Sequence, residues 1–249
     1  MIYVVRYLLV ALCTVFWGTF GLILFPLARR GSAVMFVARN WVAWMLACCG
    51  VRVEPDGLEN LSEPVVIMSN HQSVFDIAAL IYTLPLEWRF VAKKELLWIP
   101  FFGWALAAAD QVIIDRSDRE KSVRSLRRAA ERVRGGANVI IFPEGTRSPE
   151  PGLGSFKSGG FHLAIRAGVP VVPVSVSGSS RITPKHSLRI ERGLIRVHYG
   201  KAIPTTGLDV EARSELKDRV REAILAGFDP ELEPLAPAPT PAEDVAGRA

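Results

Sequence analysis

From Tyr7 to Ala28 the chain runs 22 residues without a charged side chain, bracketed by Arg6 on one side and Arg29-Arg30 on the other. No other feature of the sequence narrows its folding choices as much. As a helix the run extends about 33 Å at ~1.5 Å per residue, enough to cross a hydrocarbon layer of about 30 Å. A secretory leader competes for the same assignment, but its apolar stretch is only about 7–15 residues and ends in a small-x-small site. This run finishes Phe25-Pro26-Leu27-Ala28-Arg29, so the expectation is that it is retained. A second apolar run, Ala33 to Gly50, is interrupted by Arg39 and Asn40 and carries Trp41 and Trp44 near that polar edge, where indoles suit a membrane interface. Two geometries fit. Either the first helix spans, or the pair forms a hairpin dipping into one leaflet with Arg29, Arg30 and Arg39 at the headgroups. A buried helix pair in a soluble core is the plainer alternative, and the uncharged length favours membrane attachment over it.

Charge points the same way. The chain has 249 residues, a net charge of +5, 49% hydrophobic and 22% charged residues. So many apolar residues exclude a disordered chain, and 20 Gly and 17 Pro without a repeat exclude a collagen-like one. Residues 1–50 hold four arginines and no acid, whereas residues 229–249 hold five acids against Arg248. Base beside oil fits an anionic membrane rather than nucleic acid, whose binders spread cations over a solvated face. The three cysteines, Cys13, Cys48 and Cys49, all lie in the apolar end. An odd count, adjacent Cys48 and Cys49, and no CxxC or Cys/His spacing predict neither a disulfide framework nor a metal site.

After Gly50 short apolar runs alternate with amphipathic ones. Strands are predicted at 65–68, 89–92, 112–114, 139–142, 171–174 and 195–199. A helix is predicted over 118–134, capped by Ser117, with Val123, Leu126, Ala130 and Val133 as its buried stripe and its Arg and Lys side chains as a solvated face. Another is predicted from Asp209 to Phe228 through Leu216, Val220 and Ile224. The organisation expected is two membrane-binding helices over 1–50, one α/β domain over 51–228 with a mostly parallel or mixed central sheet flanked by helices, and a disordered tail over 229–249.

Of four histidines (His71, His162, His186, His198), His71 stands out because it follows a buried strand and is predicted to open a helix. Strand ends of such sheets are where ligands bind. Asp76 is five residues on, where a helical turn brings its carboxylate back to the ring, fixing the tautomer and stabilising the cation of a general base. Taken alone, the pair favours the plainer reading of a helix start where His71 and Asp76 cap and pair. Ser73 is misplaced for a nucleophile, and no G-x-S-x-G elbow exists. Phe142-Pro143-Glu144-Gly145-Thr146-Arg147-Ser148 follows another strand. There Arg147 offers a fork for phosphate, Gly145 lets backbone N–H groups approach, and Glu144 is expected to anchor a neighbouring hydroxyl or arginine. Lys93-Lys94-Glu95-Leu96, with Pro100 and Gly103, and Ile114-Asp115-Arg116 add cations at strand ends. Each cluster alone is compatible with surface charge; together they point to one anion site.

In this order these motifs, with Phe156-Lys157-Ser158-Gly159 and Val169-Pro170-Val171-Val172-Pro173-Val174, resemble the glycerolipid acyltransferases, in particular the bacterial 1-acyl-glycerol-3-phosphate acyltransferase family. The resemblance covers about residues 50–205 and the helix pair; Ser158 stands where the family often has another lysine. It implies that His71 is the base and Asp76 its orienting partner, with direct transfer from acyl-CoA or acyl carrier protein to the sn-2 hydroxyl and no acyl-enzyme. It implies that Lys93, Arg116, Glu144, Gly145, Thr146 and Arg147 hold the acceptor's glycerol phosphate. No resident cofactor or metal is implied, and the setting is the cell membrane with the active site on its cytoplasmic face. Other acceptors, glycerol-3-phosphate or another lysolipid, share the His-x4-Asp core. A lipid hydrolase lacks a nucleophile, and a non-catalytic phospholipid-binding protein gives the His71/Asp76 pair no purpose.

Overall fold

The uncharged run forms one helix, α1 (Ile2–Leu24), and the second apolar run forms α2 (Arg30–Cys49). The computed structural model describes residues 2–24, 30–99, 102–108, 110–115, 118–148, 152–184, 187–229 and 231–232. Trp41 Nε1 donates to Thr14 Oγ1 at 3.1 Å, and the sulfurs of Cys13 and Cys48 lie 3.7 Å apart. A Cβ on Gly21 would meet Val37 at 3.3 Å, so the missing side chain lets the helices close. Numbers rise along one helix as they fall along the other, which makes the pair an antiparallel hairpin. Only Arg6, Cys13 and Trp17 of α1 are buried, while Leu8, Leu12 and Ile23 are exposed. An apolar helix turned outward in this way is compatible with a membrane.

Both helices of the hairpin are fastened to the domain behind them. The Tyr3 hydroxyl donates to Glu191, and the buried Arg6 donates to the carbonyl of Ile190. Arg39, which the one-leaflet geometry would set at the headgroups, donates to the carbonyls of Leu84 and Leu86 at 2.9 and 3.0 Å. Carbonyls at and past a helix end lack intrahelical donors, and the guanidinium supplies one to each. Arg29 and the side chain of Arg30 lie outside the described residues.

The strands are β1 (Val51–Asp56), β2 (Val66–Ser69), β3 (Trp88–Lys93), β4 (Val112–Ile114), β5 (Asn138–Ile141), β6 (Val171–Ser177) and β7 (Gly193–Tyr199). They form one sheet in the order β1-β7-β6-β2-β5-β3-β4. Among these seven strands the β6–β7 pairing is antiparallel and the others are parallel, so the sheet is mixed. Strand alternation sends Ile67, Ile140, Val172, Val174 and Val176 to one face, with α2 and α3 (Phe75–Thr83). It sends Val66, Met68, Val139, Ile141 and Val171 to the other face, under α5 (Arg119–Arg134), α6 (Gly159–Ala167) and α8 (Arg213–Ala226). Two short helices, α4 (Phe102–Ala108) and α7 (Ser179–Ile182), sit beyond β3 and β6.

Several local expectations shift. The strand β1 was not anticipated: Pro55 and a mostly exposed pattern hide it, and its place at the sheet edge is where a missing ladder donor is tolerated. The helix α3 begins at Phe75, so His71 precedes it by one turn rather than opening it. Asp118, not Ser117, caps α5 by accepting from the Lys121 N–H at 3.0 Å. Val123 is 45% exposed, since the three-residue edge strand β4 leaves the first turns of α5 uncovered. The helix expected from Asp209 starts at Arg213, because Asp209 accepts from the Ala212 N–H and closes a turn first. In the tail, Asp229 pairs with Arg196 and its N–H donates to Ser177 Oγ at 3.0 Å. Residues 233–249, with Pro100, Arg116, Ser117 and His186, lie outside the described residues.

Because α2 contributes Val42, Leu46 and Cys49 to the same core as the sheet, it behaves as a domain helix on that side. Leu46→Ala is expected to cost about 2–5 kcal/mol, as buried leucine truncations do. Leu12→Ala, on the outward face of α1, is expected to stay within about 0.5 kcal/mol. Denaturant unfolding of the detergent-solubilised full chain measures both, and equal midpoints would show that α2 does not share the core.

Candidate active site

Parallel neighbours end on the same edge of a sheet. β6, β2, β5, β3 and β4 are such neighbours, so the segments that leave their carboxyl ends meet on one side: Ser179, His71, Phe142–Ser148, Lys93 and Asp115 in that order. At about 4.8 Å per strand, β2 and β4 stand about 14 Å apart. The motifs gathered along the sequence therefore share one rim.

The centre of this rim is a buried carboxylate. Asp76 lies in the first turn of α3 and is fully buried. Its Oδ2 accepts from the backbone N–H groups of Gln72 and Ser73 at 2.7 and 2.8 Å and lies 2.9 Å from His71 Nδ1; Ser179 donates to Oδ1. The two amide donors lie one turn upstream of Asp76, so the carboxylate rolls up the 71–74 loop and caps it. With Oδ2 accepting, Nδ1 carries the hydrogen and Nε2 is left as the nitrogen that takes a proton. The ring stacks on Phe142, centroid to centroid 4.2 Å at 22°. Its side chain is 15% exposed, enough to meet a substrate yet largely shielded from water.

A second buried carboxylate fixes the backbone of the same residue. Glu144 Oε1 accepts the His71 N–H at 2.7 Å and Oε2 accepts the Gly154 N–H at 2.8 Å, so this side chain is engaged by backbone rather than by a hydroxyl or an arginine. Burial pushes its carboxyl above the usual range, and the two N–H donors oppose that shift. The Ser148 N–H returns to the His71 carbonyl at 2.7 Å. Gly154 is required here, since a Cβ would fall 2.4 Å from Ser148 Oγ and 2.8 Å from Glu144 Oε2. Gly145 turns the loop at φ +74, with the Lys157 side chain lying over it at 3.0–3.1 Å from where a Cβ would stand.

The remaining residues named from the sequence line the rim at varied depth. Arg147 is half-buried and Thr146 exposed, both on the loop after β5. Lys93 ends β3, pairs with Glu95 at 3.6 Å and is 49% exposed, while Lys94 reaches Asp115 at 2.7 Å across the β3–β4 pair. Arg116 lies outside the described residues. Ser73 is committed to structure, its hydroxyl donating to the Thr183 carbonyl at 3.0 Å and accepting from the Phe75 N–H. Another His–Asp pair, His198 with Asp56 at 2.7 Å, shows what the first one adds: there the carboxylate is 65% exposed and the contact lies on the surface.

Sequence reasoning missed Ser179, which comes from the far side of the chain, and did not anticipate the side-chain role of Asn70. Asn70 is fully buried and continues the β2 ladder with its side chain, accepting from the Val176 N–H at 2.8 Å and donating to the Val176 carbonyl at 2.9 Å. The Gly178-Ser179-Ser180 step at the end of the buried strand β6 is the signal that marks Ser179, by the same strand-end reasoning that marked His71.

A sequence profile of the Acyltransferase family matches residues 52–177. The chain is 37% identical to a 1-acyl-sn-glycerol-3-phosphate acyltransferase of Pseudomonas aeruginosa over 93% of its own length and 91% of the relative's. It is 34% identical to the enzyme of that name from Saccharomyces cerevisiae over 90% and 77%. The crystal structure of the 1-acyl-sn-glycerophosphate acyltransferase PlsC from Thermotoga maritima superposes with a TM-score of 0.78 at 29% identity, covering 91% of this chain and 92% of that one. Agreement reaches the hairpin as well as the sheet, and by sequence and fold alike this chain belongs to the acyltransferase family.

Proposed function

We propose that the protein transfers a fatty acyl group from a thioester donor, acyl-CoA or acyl carrier protein, to the sn-2 hydroxyl of 1-acyl-glycerol-3-phosphate, giving phosphatidate. One observation carries the mechanism: His71 is held by a buried carboxylate on Nδ1, so Nε2 is presented as a base. Nε2 takes the hydroxyl proton as the oxygen attacks the thioester carbonyl. The C–O bond forms, the C–S bond breaks, and the imidazolium returns the proton to the departing thiolate. Asp76 stabilises the cation in between. The engagement of Ser73 by Thr183 and Phe75 supports direct transfer without an acyl-enzyme. Arg147, with Gly145, Thr146, Lys93 and Arg116, is assigned to the acceptor phosphate, and Glu144 serves it by holding the loop. The relatives named for this acceptor support its choice over glycerol-3-phosphate or other lysolipids. The setting is the membrane surface on the cytoplasmic side, where soluble thioester donors are made.

Purified full chain incubated with a panel of lysolipids, glycerol-3-phosphate and both donor types, with products identified by mass spectrometry, tests this reading. Phosphatidate is expected from lysophosphatidate, and its absence from every donor pairing would sink the proposal. His71→Ala is expected to lower kcat by about 10²–10⁴ with the fold intact. Ser179→Ala, which removes one of Asp76's donors, is expected to lower kcat about tenfold at unchanged KM. Arg147→Ala should instead raise the acceptor KM about ten- to a hundredfold, the worth of one charge-assisted bond to phosphate. An unchanged KM removes Arg147 from the phosphate site.

A further inference from the structure

Among the described residues α1 carries the longest run of exposed apolar side chains, but a second patch is built on the catalytic rim. After β3 the chain makes a 3-10 turn, Lys94–Trp98, and then enters α4. On this segment Leu97, Trp98, Ile99 and Trp104 are 36, 85, 46 and 56% exposed, and Trp98 is the most exposed large hydrophobic side chain among the described residues. This is not a frayed loop. The Ile99 N–H returns to the Leu96 carbonyl at 3.3 Å and the Gly103 N–H to the Ile99 carbonyl at 2.7 Å. α4 lies so close over the turn that a Cβ on Gly103 would stand 2.1 Å from the Leu97 carbonyl oxygen. A pinned backbone holds an indole outward, against the ordinary pull to bury it.

We propose that Leu97, Trp98, Ile99 and Trp104 form a second membrane contact, entering the headgroup–acyl boundary of an anionic lipid surface beside the hairpin. Three observations favour lipid over a second copy of the chain. The patch adjoins the hairpin, because α4 packs on α2, the second helix of the pair. The turn that carries Trp98 begins at Lys94, next to Lys93; the two lysines are 40 and 49% exposed and pair with Asp115 and Glu95, and an exposed indole on a segment bearing both charged groups and apolar side chains suits a headgroup layer. It lies at the carboxyl end of β3, next to the β5 strand whose loop carries Phe142 to Ser148. A contact there lowers the catalytic rim onto the surface in which a lipid acceptor lies. The hairpin fastens the molecule to the membrane; this patch sets its tilt. The inference rests on the proposed lipid acceptor.

The hairpin alone would carry the chain onto vesicles, so the test must be local. Full chain is added to vesicles of phosphatidylcholine and phosphatidylglycerol brominated high in the acyl chain. The Trp98 emission is taken as the difference between this chain and Trp98→Phe. Strong quenching of that component is expected, and an unquenched Trp98 overturns the proposal. So does a Trp98 blue shift that grows with protein concentration in detergent without vesicles, which would assign the patch to a second copy. This readout needs no turnover, so it stands or falls separately from the acyl-transfer reading. In the kinetic arm, Trp98→Glu is expected to raise the KM for vesicle-borne lysophosphatidate about tenfold while leaving the rate on a dispersed short-chain lysophosphatidate unchanged. Equal losses on both substrates would place the defect in the rim itself and overturn the tilt function.

Discussion

The architecture of the site hangs on one carboxylate. Asp76 is fully buried, and an ionised group in that position costs several kcal/mol unless it is well bonded. Four donors meet it: two backbone amides, an imidazole and a serine hydroxyl, each bond to a charge worth about 1.5–3 kcal/mol. These donors arrive from the loop after β2 and from the start of α7 after β6. The carboxylate therefore aligns a histidine and at the same time joins two strand ends that the chain separates by about a hundred residues, with a sequence separation of 103 between Asp76 and Ser179. Any reorganisation of the loop would leave that charge buried and short of partners, and this is what keeps the 71–74 turn in one shape.

Glu144 repeats the device on the other side of the histidine. One carboxylate grips the ring of His71 and another grips its backbone N–H, while the Ser148 amide grips its carbonyl and Phe142 covers a face of the ring. Every handle the residue has, except Nε2, is taken by the loop of β5 or by Asp76. A general base works when its reactive lone pair stays within hydrogen-bond reach of one proton, and the cost of ordering it is met here in the folded state rather than at each turnover. The tight place at Gly154 has the same origin, since the glycine is where the β5 loop closes back on Glu144 and Ser148.

The parts of this molecule that were legible in the sequence are those written in local pattern. Buried strands show as β-branched runs, the first two helices as long apolar runs, and the base and its partner as a histidine and an aspartate five residues apart. The parts that were not legible depend on partners distant along the chain. Arg39 looks like a headgroup arginine until the carbonyls of Leu84 and Leu86 are seen beneath it. The strand β1 carries a proline and little apolar pattern, and it becomes a strand because β7 pairs with it. Cys13 and Cys48 are separated by a whole helix turnabout, and only the antiparallel register brings their sulfurs together. Glu144 obeyed the same rule: its chemistry was visible, its engagement by two backbone amides was not.

Arg39 and the buried side of α2 also decide what kind of anchor this is. A tether that merely holds an enzyme to a bilayer is replaceable, since a shortened chain beginning near Val51 would float free and keep its fold. Here the second helix is one wall of the core, with Val42, Leu46 and Cys49 packed against sheet and α3, and Arg39 satisfies carbonyls that would otherwise be stripped of donors. Cutting the chain after α2 would uncover that apolar wall, so the product would be a sticky fragment rather than a water-soluble enzyme. The hairpin and the fold are therefore not separable parts, because the helix that closes the hairpin is also a wall of the core.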